Sequence, residues 1–163
     1  MTNFIEKDYK IFELFHKKWA LVTAGKEGHY NTMTIGWGSL GTLWSKPVCN
    51  VYVKPIRYTY DFLEQYDYFT VTFFDEQYKD DLMLLGTKSG RNEDKVALTS
   101  LTPIFNEYGV SFKEAVCTIV CKKIYYQDLD VSVMPKDIID KYYVSEEPHR
   151  MYIGEVIQVN SNH

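Results

Sequence analysis

Short stretches of β-branched and aromatic residues, interrupted by glycine, proline and polar clusters, run through most of the chain and predict a protein built mainly of strands. Residues 19–24 predict a first strand. Gly25 and Gly28 bracket the turn that follows, since glycine reaches positive φ without a steric penalty. Residues 32–37 resume as a strand and form a hairpin with the first. Further strands are predicted at 47–53, at 68–74, where nearly every residue is β-branched or aromatic, at 115–126 and at 151–159. Two short strands beyond Pro103 flank a turn at 106–109. Helical periodicity is confined to three places. From Thr59 to Tyr66, Phe62, Leu63 and Tyr66 give an apolar face and Thr59 is placed to cap the free amides. After a cap at Asp75, Tyr78, Leu82 and Leu85 recur at helical spacing. Residues 134–143 have Pro135 in the first turn, where its missing amide hydrogen costs nothing.

Strands interrupted by occasional helices lack the regular alternation of a doubly wound parallel sheet. A small antiparallel barrel with peripheral helices fits instead, and closure would remove exposed strand edges. Gly36, Gly38 and Gly41 are dense beside a strand. Glycine weakens strands, so this density marks a bulge or a close approach of backbone to another group.

Composition narrows the class. A chain of 163 residues reads as one domain, 1–163, large enough to bury roughly 70% of its unfolded surface. The excess of aromatic residues, 14 Tyr, 9 Phe and 3 Trp, suits strands, interfaces and planar ligands alike. A net charge of −4 without a long basic run gives no support to nucleic-acid binding, which rests on clustered Lys and Arg. Cys49, Cys117 and Cys121 cannot all pair within one chain, and Cys117 and Cys121 have neither dithiol spacing nor companion metal ligands. The N-terminus lacks the regions of a signal peptide, and no apolar run approaches the ~20 residues of a membrane span. A reducing cytoplasm is the expected setting.

Three segments carry side chains suited to one anionic, planar ligand. Residues 31–38 are a strand with small and polar residues around Thr32 and Thr34, whose backbone could exchange hydrogen bonds with the polar edge of a ring. At a predicted helix start, Arg57 can fork onto phosphate oxygens and Thr59 can donate its hydroxyl beside free helix amides. In the polar loop 86–95, Ser89, Gly90, Lys88, Arg91 and Lys95 could clamp a phosphate. Singly, each has an ordinary explanation: turn and strand residues, a surface charge with a cap, and a solvated loop. The loop is not a Walker motif, and no GxGxxG fingerprint follows a first strand.

The segments Asn31-Thr-Met-Thr-Ile-Gly-Trp-Gly38, Trp44-Ser-Lys-Pro-Val48, Arg57-Tyr-Thr-Tyr-Asp-Phe-Leu63, Tyr68-Phe-Thr-Val-Thr-Phe-Phe74, Gly86-Thr-Lys-Ser-Gly-Arg91 with Asp94 and Lys95, and Ile153-Gly-Glu-Val156 occur in an order that resembles the flavin reductase-like, FMN-binding split-barrel family, especially its flavoredoxin-like branch. The similarity runs from about Trp19 to Val159. It implies a mainly β, Greek-key-like antiparallel split barrel with short peripheral helices, and a homodimer with FMN near the subunit interface. It places Met33, Thr34 and Ile35 beside the flavin ring, on the strand that also carries Asn31 and Thr32, with Trp37 closing one side and Asn50 close by. It places Arg57, Tyr58, Thr59, Ser89, Arg91 and Lys95 at the phosphate, and His149 near the pocket.

The chemistry implied is that of an oxidoreductase. NADH or NADPH would stack on the exposed flavin face and pass its hydride to the ring, and the electrons would leave to free flavin or another small-molecule or protein acceptor. The ring carries the redox chemistry while the protein supplies position and electrostatics, so no acid–base signature is needed. Two other readings stay open: an electron carrier or sensor without efficient NAD(P)H oxidation, and a barrel with a structural or interaction role.

Overall fold

The apolar alternation becomes nine strands and three α-helices in a computed structural model that describes Phe4 and residues 7–161. The strands are β1 (Ala20–Lys26), β2 (His29–Ile35), β3 (Gly38–Leu43), β4 (Lys46–Val53), β5 (Tyr68–Phe73), β6 (Pro103–Asn106), β7 (Gly109–Phe112), β8 (Cys117–Asp128) and β9 (Arg150–Ser161), and the helices are α1 (Tyr58–Gln65), α2 (Lys79–Thr87) and α3 (Lys136–Tyr142). Seven strands form one antiparallel sheet in the order β2-β1-β5-β8-β9-β4-β3, while β6 and β7 pair separately. The fold is an antiparallel split barrel with short helices, as the pattern and the resemblance imply.

Closure, however, is incomplete. β2 and β3 have no strand partner on their outer edges among the described residues, so the curled sheet is joined across its two ends only by the short connection at Gly36 and Trp37. β2, one of these two edge strands, carries the site.

Alternation along the strands separates two cores. Ala20, Val22, Ala24, Phe69, Val71, Phe73, Cys49, Val51, Val53 and Cys121 pack inside the curl. On the opposite face, Leu21 and Phe74 pack with Leu82 and Leu85 of α2 and Phe112 of β7. A buried layer of threonines belongs with this second face: Thr23 Oγ1 and Thr32 Oγ1 lie 2.7 Å apart, and Thr70 Oγ1 donates to the Val110 carbonyl of β7 at 2.6 Å. These polar groups are tolerated because each finds a partner. Inside the curl, β9 passes between Cys49 and Cys121 only because Gly154 has no side chain. A Cβ there would come within 2.5 Å of Cys121 Cβ and 2.6 Å of the Phe69 ring.

Several sequence expectations are corrected. Most of the glycine-dense stretch is itself a strand, β3, and the close approach its glycines imply is made at Gly38. A six-residue π-helix, Glu13–Lys18, seats the Phe15 ring on Gly38, where any Cβ would collide with it, and brings Trp19 against Gly36. Trp19 is not in the first strand but turns the chain with φ 64°. α2 is entered through a 3-10 turn, Glu76–Tyr78, rather than directly from Asp75, and Pro135 caps α3 rather than sitting inside it. Thr59 does not cap α1. Arg57 holds that position in extended conformation, and Thr59 is buried one residue into the helix.

Candidate functional site

Two adjoining clefts open along β2, sharing Met33 and Arg57 as common walls. The first, about 160 Å³, lies between β2, the start of α1 and the loop after α2, and is lined by Asn31, Arg57, Tyr58, Thr59, Ser89 and Lys95, with Gly86, Gly90 and Glu146. The three separated segments expected to hold an anion therefore meet.

Local contacts explain the convergence. Asn31, 6% exposed, donates from Nδ2 to Thr59 Oγ1 at 2.8 Å, pinning α1 to β2. With its oxygen accepting that bond, the Thr59 hydroxyl keeps its own proton to donate elsewhere. Gly90 lies so close on Asn31 that a Cβ would overlap Asn31 Oδ1, so only glycine lets the loop settle there. Ser89 Oγ accepts from the Arg91 amide at 3.2 Å, which likewise leaves the Ser89 proton free.

Lys95 is the most unusual group. It is 4% exposed, and its Nζ donates to the carbonyls of Leu85 at 2.8 Å and Lys88 at 3.0 Å at the end of α2. Burial, and secondarily the charge of Arg57, lower its pKa from 10.5 to about 8. Neither Lys95 nor the Arg57 side chain is paired with a carboxylate among the described residues. The carboxylate bordering this cleft, Glu146, is instead held by Lys54 at 2.6 Å, which draws its pKa below the usual range.

The second cleft, about 330 Å³, is lined by Met33, Thr34, Ile35, Trp37, Tyr52 and His149, with Gly36, Lys54, Arg57 and Tyr142. Its aromatic walls interlock: Trp37 meets the Tyr142 ring edge-on at 5.2 Å and the His149 ring at 5.3 Å, and Tyr143 Oη lies 2.7 Å from His149 Nδ1. Burial, then the charges of Lys54 and Arg57, lower the His149 pKa to about 4, so the imidazole is neutral at pH 7. The end of α3 at Tyr142 and the segment that follows it, carrying Tyr143, Glu146 and His149, are tied to the end of β4 by Lys54. That amine donates to the Tyr142 carbonyl at 2.9 Å and to Glu146, and lies 5.3 Å from the centre of the Tyr143 ring. Arg150 fixes the return into β9, bonding Asp128 at 2.7 Å and Glu64 of α1 at 2.9 Å.

Not every expected residue reaches these clefts. Thr32 points to the opposite face of β2, where it meets Thr23, because side chains alternate along a strand. Thr34 borders the ring-side cleft, but its hydroxyl is engaged by the Leu82 carbonyl of α2. Asn50 lines neither cleft, and its buried Oδ1 has no hydrogen-bond partner among the described residues. Arg91 lies outside the first cleft, its guanidinium 4.8 Å from the Tyr58 ring centre and 3.8 Å from Asp61. Conversely, Tyr52, Lys54 and Glu146 line the site without having been singled out for it. Tyr52 alone had a local signal, interrupting the apolar run between Val51 and Val53.

A family model described as the flavin reductase-like domain matches residues 12–163. Among solved structures, the chain resembles flavoredoxin from Methanosarcina acetivorans at 20% identity and a TM-score of 0.71, covering 90% of this chain and 69% of that one. It resembles an FMN-binding protein from Thermus thermophilus, solved with bound 1-cyclohex-2-enone, at 20% identity and a TM-score of 0.70, covering 90% and 73%. A third is the FMN-binding domain of a flavin reductase-like enzyme from Shewanella baltica OS155, at 18% identity and a TM-score of 0.66, covering 91% and 71%. No curated protein sequence matches the chain.

Proposed function

Because the chain belongs to the flavin reductase-like domain family, we propose that it is an FMN-binding oxidoreductase, with the FMN phosphate in the first cleft, the ring in the second, and a reduced nicotinamide cofactor as electron donor. The observation that carries this reading is the Arg57 guanidinium, without an ion pair among the described residues, which borders both clefts beside the buried Lys95 amine. Arg57, exposed at the mouth, and the buried Lys95 face a cleft whose hydroxyls keep free protons, an arrangement complementary to an anion.

The residues fit the group. A phosphate would be met by Arg57 in a forked, charge-assisted contact, by the Lys95 ammonium, by the Thr59 and Ser89 hydroxyls and by the amides opening α1. The cradle is shaped for it, since at Gly86 and Gly90 an added Cβ would press on Thr34 and Asn31. Trp37, Tyr52, Tyr142 and His149 offer rings to a planar heterocycle in the adjoining cleft. Bound FMN would supply two-electron redox chemistry that no side chain here can provide. The neutral His149, oriented by Tyr143, lends polarity to that cleft without competing for the negative charge of a reduced ring, and Lys54 and Arg57 supply positive potential there.

In the same reading the protein is a homodimer in the reducing cytoplasm. The half-exposed Trp37 and the unpaired edges of β2 and β3 lie at the open seam, where a second subunit would cover them. Its three cysteines are free thiols, and no helix among the described residues is long and apolar enough to cross a membrane.

Anaerobic titration of FMN-loaded protein with NADH and with NADPH tests the assignment. Stoichiometric bleaching of the flavin band by either donor within seconds is expected. A flavin that stays oxidised with both, yet is reduced by a protein donor, would make this an electron carrier.

A further inference from the structure

The ring-side cleft holds a chain of exchangeable protons that a flavin ring alone does not use. Its inner end is Tyr143, set behind His149 rather than in the cleft wall, with Oη 2.7 Å from Nδ1. That hydrogen bond is the only one either side chain makes among the described residues, so Nδ1 is the one acceptor open to the Tyr143 proton. A neutral imidazole that accepts at Nδ1 carries its own proton on Nε2. Nε2 has no partner among the described residues, and the ring that bears it lines the cleft. The imidazole is held in place, the Leu129 amide donating to the His149 carbonyl at 3.0 Å and the Trp37 ring lying 5.3 Å away. Lys54, which also holds Glu146, lies 5.3 Å from the centre of the Tyr143 ring, where a cation favours a phenolate.

We propose that Tyr143 and His149 form a proton relay into the ring-side cleft, and that the acceptor it serves is a quinone reduced by two electrons at once. The inference rests on the flavin reading above, in which a hydride passes from the reduced nicotinamide to FMN and, here, onward to the quinone. The hydride leaves one quinone oxygen as a phenolate. That oxygen takes the Nε2 proton of His149 while Nδ1 takes the Oη proton of Tyr143. The Nε2–H and Oη–H bonds break as an O–H bond on the acceptor and an Nδ1–H bond form. One proton from solvent, taken at Nε2 as Nδ1 returns its own to Oη, resets the pair. Quinone, NAD(P)H and a proton thus give hydroquinone and NAD(P)+.

The match is one of acidity. Proton source and product are both phenols, whose ordinary pKa is about 10, so transfer between them is nearly balanced. Burial raises the Tyr143 pKa and keeps that phenol protonated until the stronger base appears on the acceptor. An acceptor that takes single electrons without a proton has no use for the pair.

Tyr143→Phe, which keeps the ring and its packing, tests the relay in two ways. In the flavin-free protein, ring-nitrogen NMR should show His149 as one neutral tautomer protonated at Nε2, and the variant should lose that preference. In FMN-loaded protein reduced stoichiometrically with dithionite, reoxidation by duroquinone should slow about a hundredfold in the variant, while reoxidation by ferricyanide, which takes no proton, stays within about twofold. A proton resident on Nδ1 in the unaltered protein overturns the relay. So does a variant in which duroquinone is not slowed, or in which both acceptors are slowed alike. Failure to retain FMN would overturn the flavin reading itself, a separate result.

Discussion

The phosphate-side cleft is floored by the buried side chains of Asn31, Thr59 and Lys95, with Arg57 and Ser89 exposed at its rim, whereas the ring-side cleft is walled by rings on a connecting segment that Lys54 ties to β4. Thr59 is 1% exposed and Lys95 4%, while Trp37 across the seam is 47% exposed. Groups held this firmly lose little entropy when a ligand arrives, so the first cleft is built for affinity. The second is bounded by aromatic contacts and one amine and is half open to solvent, which suits the entry and exit of a second reactant. Binding and turnover should therefore respond to different mutations.

The largest effect is expected at the phosphate end. Arg57→Ala should weaken FMN binding ten- to a hundredfold, the loss of about 1.5–3 kcal/mol expected for hydrogen bonds to a charged group, while circular dichroism shows the fold unchanged. An equal loss of riboflavin affinity in that variant would mean that Arg57 acts through the ring instead.

Gly90→Val comes next. Its side chain would strike Asn31 Oδ1, and overpacking of this kind costs about 1–3 kcal/mol, read as a lowered thermal midpoint together with weakened FMN binding. A variant with unchanged melting and affinity would show that the loop need not rest on β2.

Proton linkage gives a third prediction. Between pH 8 and 10.5 folded Lys95 binds fewer protons than the unfolded chain, so this group makes the unliganded protein more stable as pH rises through that window. A bound phosphate favours the ammonium and reverses the preference. FMN affinity should accordingly fall as pH rises above about 8, by about tenfold per pH unit at the steepest, and Lys95→Met should flatten the profile.

Lys54→Met should leave FMN affinity within a few-fold but speed amide hydrogen exchange in the segment 142–149 and change the rate of flavin reduction. An equal loss of binding would erase the distinction between the two ends. Smallest of all is the response of His149. Its folded pKa, about 4 against an ordinary 6.5, means that it adds stability above pH 6.5 that is lost as pH falls toward 4. Its imidazole NMR shifts should not move between pH 8 and about 5.5.

How much of this was legible in the sequence follows from where the information resides. β5 could be read because nearly every residue in it favours a strand, and the phosphate-side group because Arg57, Thr59, Ser89, Gly90 and Lys95 are polar residues or glycine near helix ends and in a loop. β3 was hidden because it opens on a glycine, Gly38, that suits the Phe15 ring, a contact made across the fold. The face of Thr32 was available from alternation alone, since Asn31, Met33 and Ile35 must share the other side. Arg91 follows Gly90 by one residue, and only the path of the loop decides that it turns toward Tyr58 and Asp61. Lys54 is 88 residues from Tyr142 and 92 from Glu146 and shares no local signal with them; their meeting is a product of the crossover from β4 to the α3–β9 connection.

The central claim is that the cationic cleft recognises phosphate and the aromatic cleft the ring, and comparing FMN with riboflavin, the same ring without phosphate, tests it most directly. At pH 7 the unaltered protein should bind FMN about a hundredfold more tightly than riboflavin, as two charge-assisted contacts would give. Equal affinities for the two would show that Arg57 and Lys95 hold no phosphate, and would contradict the account.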